Sequence, residues 1–312
     1  MATRITIGSR GSKLALWQAE WVKKRLESHH PGLHAGIKII KTKGDKILDV
    51  PLAKVGGKGL FVKEIEEALL SGDIDLAVHS MKDMPAEIPS GLGIGAVPER
   101  ETPLDVLISR ENLPFKDLKT GARIGTSSLR RASQLRHIRP DIEIVPLRGN
   151  LDTRLHKLMT DNLDAIVLAA AGVKRLNLES RITQYLEPGV MLPAAGQGAL
   201  CVEIRNDDTA TAAFVKPLDH TATRVVIAGE RAFLNHLGGS CQIPIAAFGE
   251  MIQNRFILRG LVSDLDGQQI VADTLEGAPD RSEHIGIELA KRLLSKGAEE
   301  ILNHLKSFCD LR

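Results

Sequence analysis

The chain has 312 residues, 43% of them hydrophobic and 26% charged, which supplies sizeable cores and excludes a disordered protein. Its formal net charge is only +2, and no stretch approaches the roughly 18 consecutive apolar residues of a membrane span. Cys201, Cys241 and Cys309 are widely spaced and form no Cys-x-x-Cys motif, so neither a disulfide framework nor a metal site is predicted. At roughly 150 residues per domain the length predicts two or three domains. No apolar run of signal-peptide form follows Met1, so the expectation is a soluble, cytoplasmic protein with no membrane partner.

In chain order, residues 5–7 read as a strand, and Ser12 opens a helix through Leu14-Ala15-Leu16-Trp17 towards Leu26. Residues 37–41 read as a second strand and 62–70 as a helix. Residues 75–78 form a buried strand running into the turn His79-Ser80-Met81-Lys82-Asp83-Met84-Pro85. A weaker copy follows. Arg123-Ile124-Gly125-Thr126 matches Thr6-Ile7-Gly8-Ser9, residues 142–150 match 37–45, and Asp164-Ala165-Ile166-Val167 matches Asp75-Leu76-Ala77-Val78.

The pattern predicts two similarly built α/β domains, the first from residues 1–98 and 199–216 and the second from 104–192. The Pro-containing stretches 97–103 and 191–198 read as crossovers, hence as a hinge beside a cleft. Residues 221–312 predict a smaller α+β domain. It comprises a helix over 224–237, strands over 243–248, 256–263 and 269–274 with an Asp266-Gly267 turn, and one final helix over 281–305.

Charge is uneven along the chain. Between Arg123 and Lys157 eight basic residues meet three acidic ones, so an anionic partner is expected here. Thr126-Ser127-Ser128-Leu129-Arg130-Arg131 sets helix-capping hydroxyls beside two guanidinium groups, and Ser9-Arg10-Gly11-Ser12-Lys13 does so in the first unit. Either turn alone reads as ordinary capping with solvated arginines. Their repetition, with Arg148-Gly149-Asn150 and Arg154, favours a shared site for carboxylate or phosphate. Gly56-Gly57-Lys58-Gly59 has the wrong spacing for a P-loop and reads as a mobile loop carrying Lys54 and Lys58.

Asp83, on spacing alone, reads as the residue that holds the turn before Pro85. The alternative is a carboxylate among arginines that stabilises a developing cation. Cys241, between Gly238-Gly239-Ser240 and Pro244, reads either as a packed thiol or as a nucleophile or attachment point on a loop.

Seven ordered motifs carry a family resemblance. They are Arg10-Gly11-Ser12-Lys13-Leu14-Ala15-Leu16-Trp17-Gln18, Lys54-Val55-Gly56-Gly57-Lys58-Gly59-Leu60-Phe61, Ala77-Val78-His79-Ser80-Met81-Lys82-Asp83, Gly125-Thr126-Ser127-Ser128-Leu129-Arg130-Arg131, Leu147-Arg148-Gly149-Asn150, Pro193-Ala194-Ala195-Gly196-Gln197-Gly198, and the block from Glu230-Arg231 to Pro244. With them the chain resembles the porphobilinogen deaminases (hydroxymethylbilane synthases). The resemblance implies two type II periplasmic-binding-protein-like α/β domains plus a C-terminal α+β domain, and a dipyrromethane cofactor joined by thioether to Cys241.

The activity it implies is a transferase that condenses four porphobilinogen molecules head to tail, losing ammonia each time, and releases hydroxymethylbilane by hydrolysis. It implies Asp83 as the catalytic acid, with Lys82, Asp83, Thr126, Ser128, Arg130, Arg131, Arg148 and Gly149 on the cofactor and Arg10, Ser12, Arg148 and Arg154 on substrate. A monomer that hands its product to uroporphyrinogen III synthase completes the expectation. Thr102 stands where an acidic residue is common in that family, and Ser240 where Gly is common.

Two other readings are weaker. A binding protein without chemistry explains the α/β repeats and the arginines but not Cys241 or the third domain. A nucleic-acid binder explains only the basic segment, and 3% aromatic content leaves few stacking platforms.

Overall fold

The computed structural model describes residues 3–46, 62–239 and 243–310. Cys241 and the loop 56–59, with Lys54 and Lys58, lie outside them. The chain divides into two compact units, the first built from Met1–Val50, Gly57–Glu101 and Gly198–Arg224, the second chiefly from Thr102–Gln197 and Val225–Arg312.

In the first unit β1 (Thr3–Ser9) leads to α1 (Lys13–His29), β2 (Leu33–Ile39), α2 (Lys63–Leu70), β3 (Leu76–Ser80) and β4 (Leu92–Ala96). A strand from much later in the chain, β10 (Leu200–Arg205), inserts between β3 and β4, so the sheet order is β2-β1-β3-β10-β4. β1 runs parallel to β2 and β3, whereas β10 is antiparallel to both of its neighbours. Ile5, Ile7, Val22, Leu26, Leu76, Val202 and Ile204 pack in one core on the α1 side. The second strand starts earlier than residues 37–41 because Leu33 and Ala35 alternate inward.

The second unit repeats this topology. β5 (Asp105–Ser109), β6 (Arg123–Gly125), α3 (Leu129–Ile138), β7 (Glu143–Val145), α4 (Leu151–Thr160), β8 (Ala165–Ala169), α5 (Ala170–Arg175) and β9 (Gln184–Leu186) give the order β7-β6-β8-β5-β9. Here the reversed strand, β5, comes first in the chain instead of last. The sequence copy is also a geometric copy. Thr6 N donates to Asp75 Oδ2 at 2.6 Å, and Arg123 N donates to Asp164 Oδ2 at 2.7 Å. The two sheets, with their helices, are the two similarly built α/β domains that the sequence pattern predicts.

The same unit carries a third, antiparallel sheet of β11 (Ile245–Ile252), β12 (Arg255–Ser263) and β13 (Ile270–Gly277). Helix α6 (Thr209–Val215) still belongs to the first unit; α7 (Thr221–His236) precedes the third sheet, and α8 (Ser282–Leu293) and α9 (Glu299–Asp310) follow it. Phe233, Phe256, Leu289 and Leu293 lie at the centre of its core. The single final helix expected over 281–305 is two helices, broken at Gly297, which has φ 106°. Residues 79 and 80 extend β3 rather than forming a turn, and the turn proper is the 3-10 segment Met81–Asp83. β4, β5, β9 and β10 have no counterpart in the sequence reading.

α3 is latched to the third sheet. Ser263 Oγ donates to Ser133 Oγ at 2.7 Å, Arg136 Nη1 donates to the Leu265 carbonyl at 2.9 Å, and His137 Nδ1 meets the Gly267 carbonyl at 2.8 Å. Gly267 has φ 71°, and a Cβ there would run into the Ser133 carbonyl oxygen. Gly267→Ala adds backbone strain to a steric clash, so we expect a loss of about 2 kcal/mol, read as a lower urea midpoint.

Candidate functional site

In the first unit the loop after β1 turns into α1 through Ser12, whose Oγ accepts from Ala15 N at 3.2 Å. Arg10 precedes it, and buried Ser9 donates its hydroxyl to the Ala15 carbonyl at 3.2 Å, fixing the turn. β3 delivers His79 and Ser80 to the same place, and Gln18 Nε2 on α1 donates to Ser80 Oγ at 3.0 Å. Arg10, Ser12, Gln18, His79, Ser80 and Asp83 line one cavity, with Val62 at its apolar side. Asp83 is exposed and Lys82 half-buried, both on the 3-10 turn. The structure therefore gathers Arg10 and Ser12 of one motif with Asp83 of another.

In the second unit the loop after β6 does the corresponding work. Thr126 is buried and its Oγ1 accepts from Ser128 N at 3.2 Å, while Ser127 Oγ donates to the Leu147 carbonyl at 2.9 Å. Ser128 caps α3 through Arg131 N at 3.4 Å. Asn150 caps α4 by accepting from Thr153 N at 2.9 Å. Arg154 Nε returns to the Gly149 carbonyl at 2.9 Å, and Gly149 has φ 112°. Arg148 is half-buried on this second turn.

Arg130 and Arg131 are not solvated. They are 5% and 6% exposed and converge on Asp105, which is fully buried at the head of β5. Arg130 Nη1 lies 2.8 Å from Asp105 Oδ2, and Arg131 Nη2 lies 2.7 Å from Oδ1. Arg131 Nε also donates to Asp105 Oδ1 at 2.9 Å, while Arg130 Nη1 donates to the Leu192 carbonyl at 2.7 Å and Arg131 Nη1 to that of Val167 at 2.9 Å. Burial alone would raise the Asp105 carboxyl, but the two guanidinium charges win and hold it at about 2. Burial likewise pushes Arg131 downward, against Asp105. Two cations on one carboxylate leave one positive charge over.

Asp105 escaped the sequence reading, because an acidic residue before Val106-Leu107-Ile108 looks like an exposed strand start. So did Glu66 and Glu203 near the first cavity, while His79 and Glu230 stood in quoted motifs without an assigned role. Both oxygens of buried Glu230 accept backbone bonds, from Gly196 N at 2.6 Å and Gly249 N at 2.8 Å. Among the described residues no group of three or more His, Cys, Asp or Glu side chains could hold a metal ion, and no helix is long and apolar enough to cross a membrane.

Two like-built α/β lobes each present a capped helix start beside an arginine-bearing turn, a pairing whose donors suit carboxylates. Residues 5–213 match the family description "Porphobilinogen deaminase, dipyromethane cofactor binding domain", and residues 224–295 match its C-terminal domain. The chain is 53% identical over 306 residues to the porphobilinogen deaminase of Carboxydothermus hydrogenoformans, covering 98% of each. It is 54% identical over 303 residues to that of Nitratidesulfovibrio vulgaris Hildenborough, covering 96% of each. The chain belongs to the porphobilinogen deaminase family. It is accordingly an enzyme of tetrapyrrole synthesis with a dipyrromethane-binding domain.

Asp105→Asn would leave two guanidinium groups buried without a counter-charge. We expect a loss of about 3–5 kcal/mol in urea unfolding at neutral pH. The depressed carboxyl makes this contribution complete above the usual carboxylate range and lost as pH falls through about 2, so the variant and the parent converge in acid.

Proposed function

We propose that the chain is a transferase that condenses four porphobilinogen molecules head to tail on a dipyrromethane primer, losing ammonia at each step, and releases hydroxymethylbilane by hydrolysis. The observation that carries this reading is the unbalanced positive charge at Asp105, buried beside the start of α3. A buried cation left over by its partner is unfavourable until an anion completes it. Every pyrrole of the primer brings an acetate and a propionate, so the group fits this donor set.

On this reading Thr126, Ser128, Arg130, Arg131, Arg148, Gly149 and Lys82 hold the primer's carboxylates, the two buried arginines chiefly through the field of their surplus charge. Arg10, Ser12, Arg148 and Arg154 receive the carboxylates of porphobilinogen. When bound, the primer supplies the pyrrole carbon to which each new unit is joined. Cys241 is its thioether anchor and does not turn over.

Asp83 stands at the mouth of the Arg10 cavity. Its carboxylate offsets the positive charge that develops on the substrate pyrrole as ammonia departs, and then accepts the proton released on coupling. The second unit is read as two domains, 104–192 and 221–312, the last carrying the anchor. We place the enzyme in the cytoplasm as a monomer that passes its product to uroporphyrinogen III synthase.

Intact mass of freshly purified protein tests the anchor. The parent should carry a dipyrrole adduct that Cys241→Ser lacks, and an unmodified yet active parent would overturn the mechanism. Asp83→Ala should keep the adduct and lose turnover with porphobilinogen by about 10²- to 10⁴-fold, the usual range for a general acid-base group. Near-native turnover in that variant would refute the role.

A further inference from the structure

Behind the cavity of the first unit lies an ionisable cluster that the chemistry above does not use. His79 lines the cavity, and its Nε2 lies 3.0 Å from Oε2 of Glu203 on the neighbouring strand β10. Glu203 is fully buried, His79 is 5% exposed and Glu66 on α2 is 7% exposed. Val62, at the start of α2, also lines the cavity, and Glu66 N donates to its carbonyl at 2.9 Å. Glu66 therefore stands one helical turn behind the cavity wall, on the face that Val62 presents to it. Glu66 Oε1 and Glu203 Oε1 are both buried with no hydrogen-bond partner among the described residues.

Two carboxylates and one imidazole packed in an apolar layer cannot all shed their protons. Ionised Glu66 beside ionised Glu203 would leave at least one uncompensated negative charge out of reach of water. Few other charges face Glu66. β3 contributes His79 and β10 contributes Glu203. Arg205, at the far end of β10, is turned to the Leu69 and Ile74 carbonyls and to Asp208. β4 has no ionisable side chain, β1 has only Arg4 near its exposed start, and α2 itself adds Lys63, Glu64 and Glu67. Burial first, then the charge of Glu203, raises the Glu66 carboxyl to about 7, with His79 opposing and Glu67 adding slightly.

We propose that Glu66, His79 and Glu203 are a buried proton-holding cluster that sets the charge behind the cavity, and through it the affinity for the carboxylates of porphobilinogen. With a proton on Glu66, that acid adds no charge to the layer in which His79 Nε2 meets Glu203 Oε2. Loss of that proton places a negative charge behind the wall where Arg10 attracts substrate carboxylate, and the low-dielectric layer screens it poorly. Glu66 is thus a positioning residue: it acts through the field on the cavity and touches no substrate. The proposal rests on the reading that the Arg10 cavity receives porphobilinogen.

The test measures kcat and KM for porphobilinogen from pH 6 to 9 on the full-length enzyme, together with the protonated-carboxyl infrared band of the resting enzyme. The parent should lose one such band near pH 7 while KM rises about fivefold and kcat changes less. Glu66→Gln should lack that band and hold KM near the parent's acid-side value throughout. His79→Gln, which removes the group that opposes the rise of Glu66, should shift both the band and the KM rise to higher pH. A band still titrating near 7 in Glu66→Gln, or a KM profile identical to the parent's, overturns the proposal. If Arg10→Leu leaves KM unaltered at every pH, the substrate reading of the cavity falls instead, and the infrared band alone decides whether Glu66 holds the proton.

Discussion

Asp105 accepts two guanidinium groups where no solvent screens them, and much of the second unit is arranged around that fact. Arg130 and Arg131 bring α3 to it, and Gln197 Nε2 donates to the same carboxylate at 3.0 Å and to the Pro103 carbonyl at 2.6 Å. Arg130 and Gln134 both also reach Leu192, Gln134 through the Leu192 N–H at 2.7 Å and its carbonyl at 3.1 Å. One carboxylate thereby ties the first strand of the second sheet, the helix above it, and the segment leaving that sheet. The far half of α3 is bound by Ser133, Arg136 and His137 to the third sheet. With both halves fixed, the Ser128 cap and the Thr126 turn at the start of α3 are held in place.

The two lobes show what a duplicated scaffold keeps and what it varies. Both hold the parallel strand pair by an aspartate that accepts from the backbone, Asp75 in one and Asp164 in the other. Both tie the residue after the central strand to the reversed strand: Met81 N donates to the Ala199 carbonyl at 3.0 Å and Ala170 N to that of Leu104 at 3.0 Å. From that shared point the chains diverge. Met81-Lys82-Asp83 makes a single 3-10 turn that ends at Met84, whereas Ala170-Ala171-Gly172 continues as α5. The capped, arginine-bearing turn exists twice, but the acid exists once.

What could be read from sequence alone is what depends on near neighbours. The Ile-Gly pairs of β1 and β6, the aspartates heading β3 and β8, and the caps Ser12 and Ser128 all declare themselves within a few residues. β5 and β10 did not, because a short reversed strand in the middle of a parallel sheet is specified by its neighbours and not by its own period. Asp105 meets its arginines across 26 residues, and Glu203 meets His79 across 124. Polar residues that look unremarkable on their own strands became buried partners only through that pairing. Arg130 and Arg131 illustrate the reverse: the motif located them correctly beside the capped turn but gave no sign that both would be buried on a single carboxylate.

The placement of β10 also has a consequence for how the chain is made. The first sheet needs this strand inside it, between β3 and the edge strand β4, yet roughly a hundred residues separate it from β4, and the whole second sheet is encoded in that interval. A ribosome that synthesises from the N-terminus releases β1 to β4 with the slot between β3 and β4 unfilled and the edges of β3 and β4 unpaired. The second sheet, whose five strands are contiguous, can close before that slot is filled. The N-terminal lobe is therefore the first to be translated and the later to be completed, and its exposed strand edges are the vulnerable surface of the nascent chain.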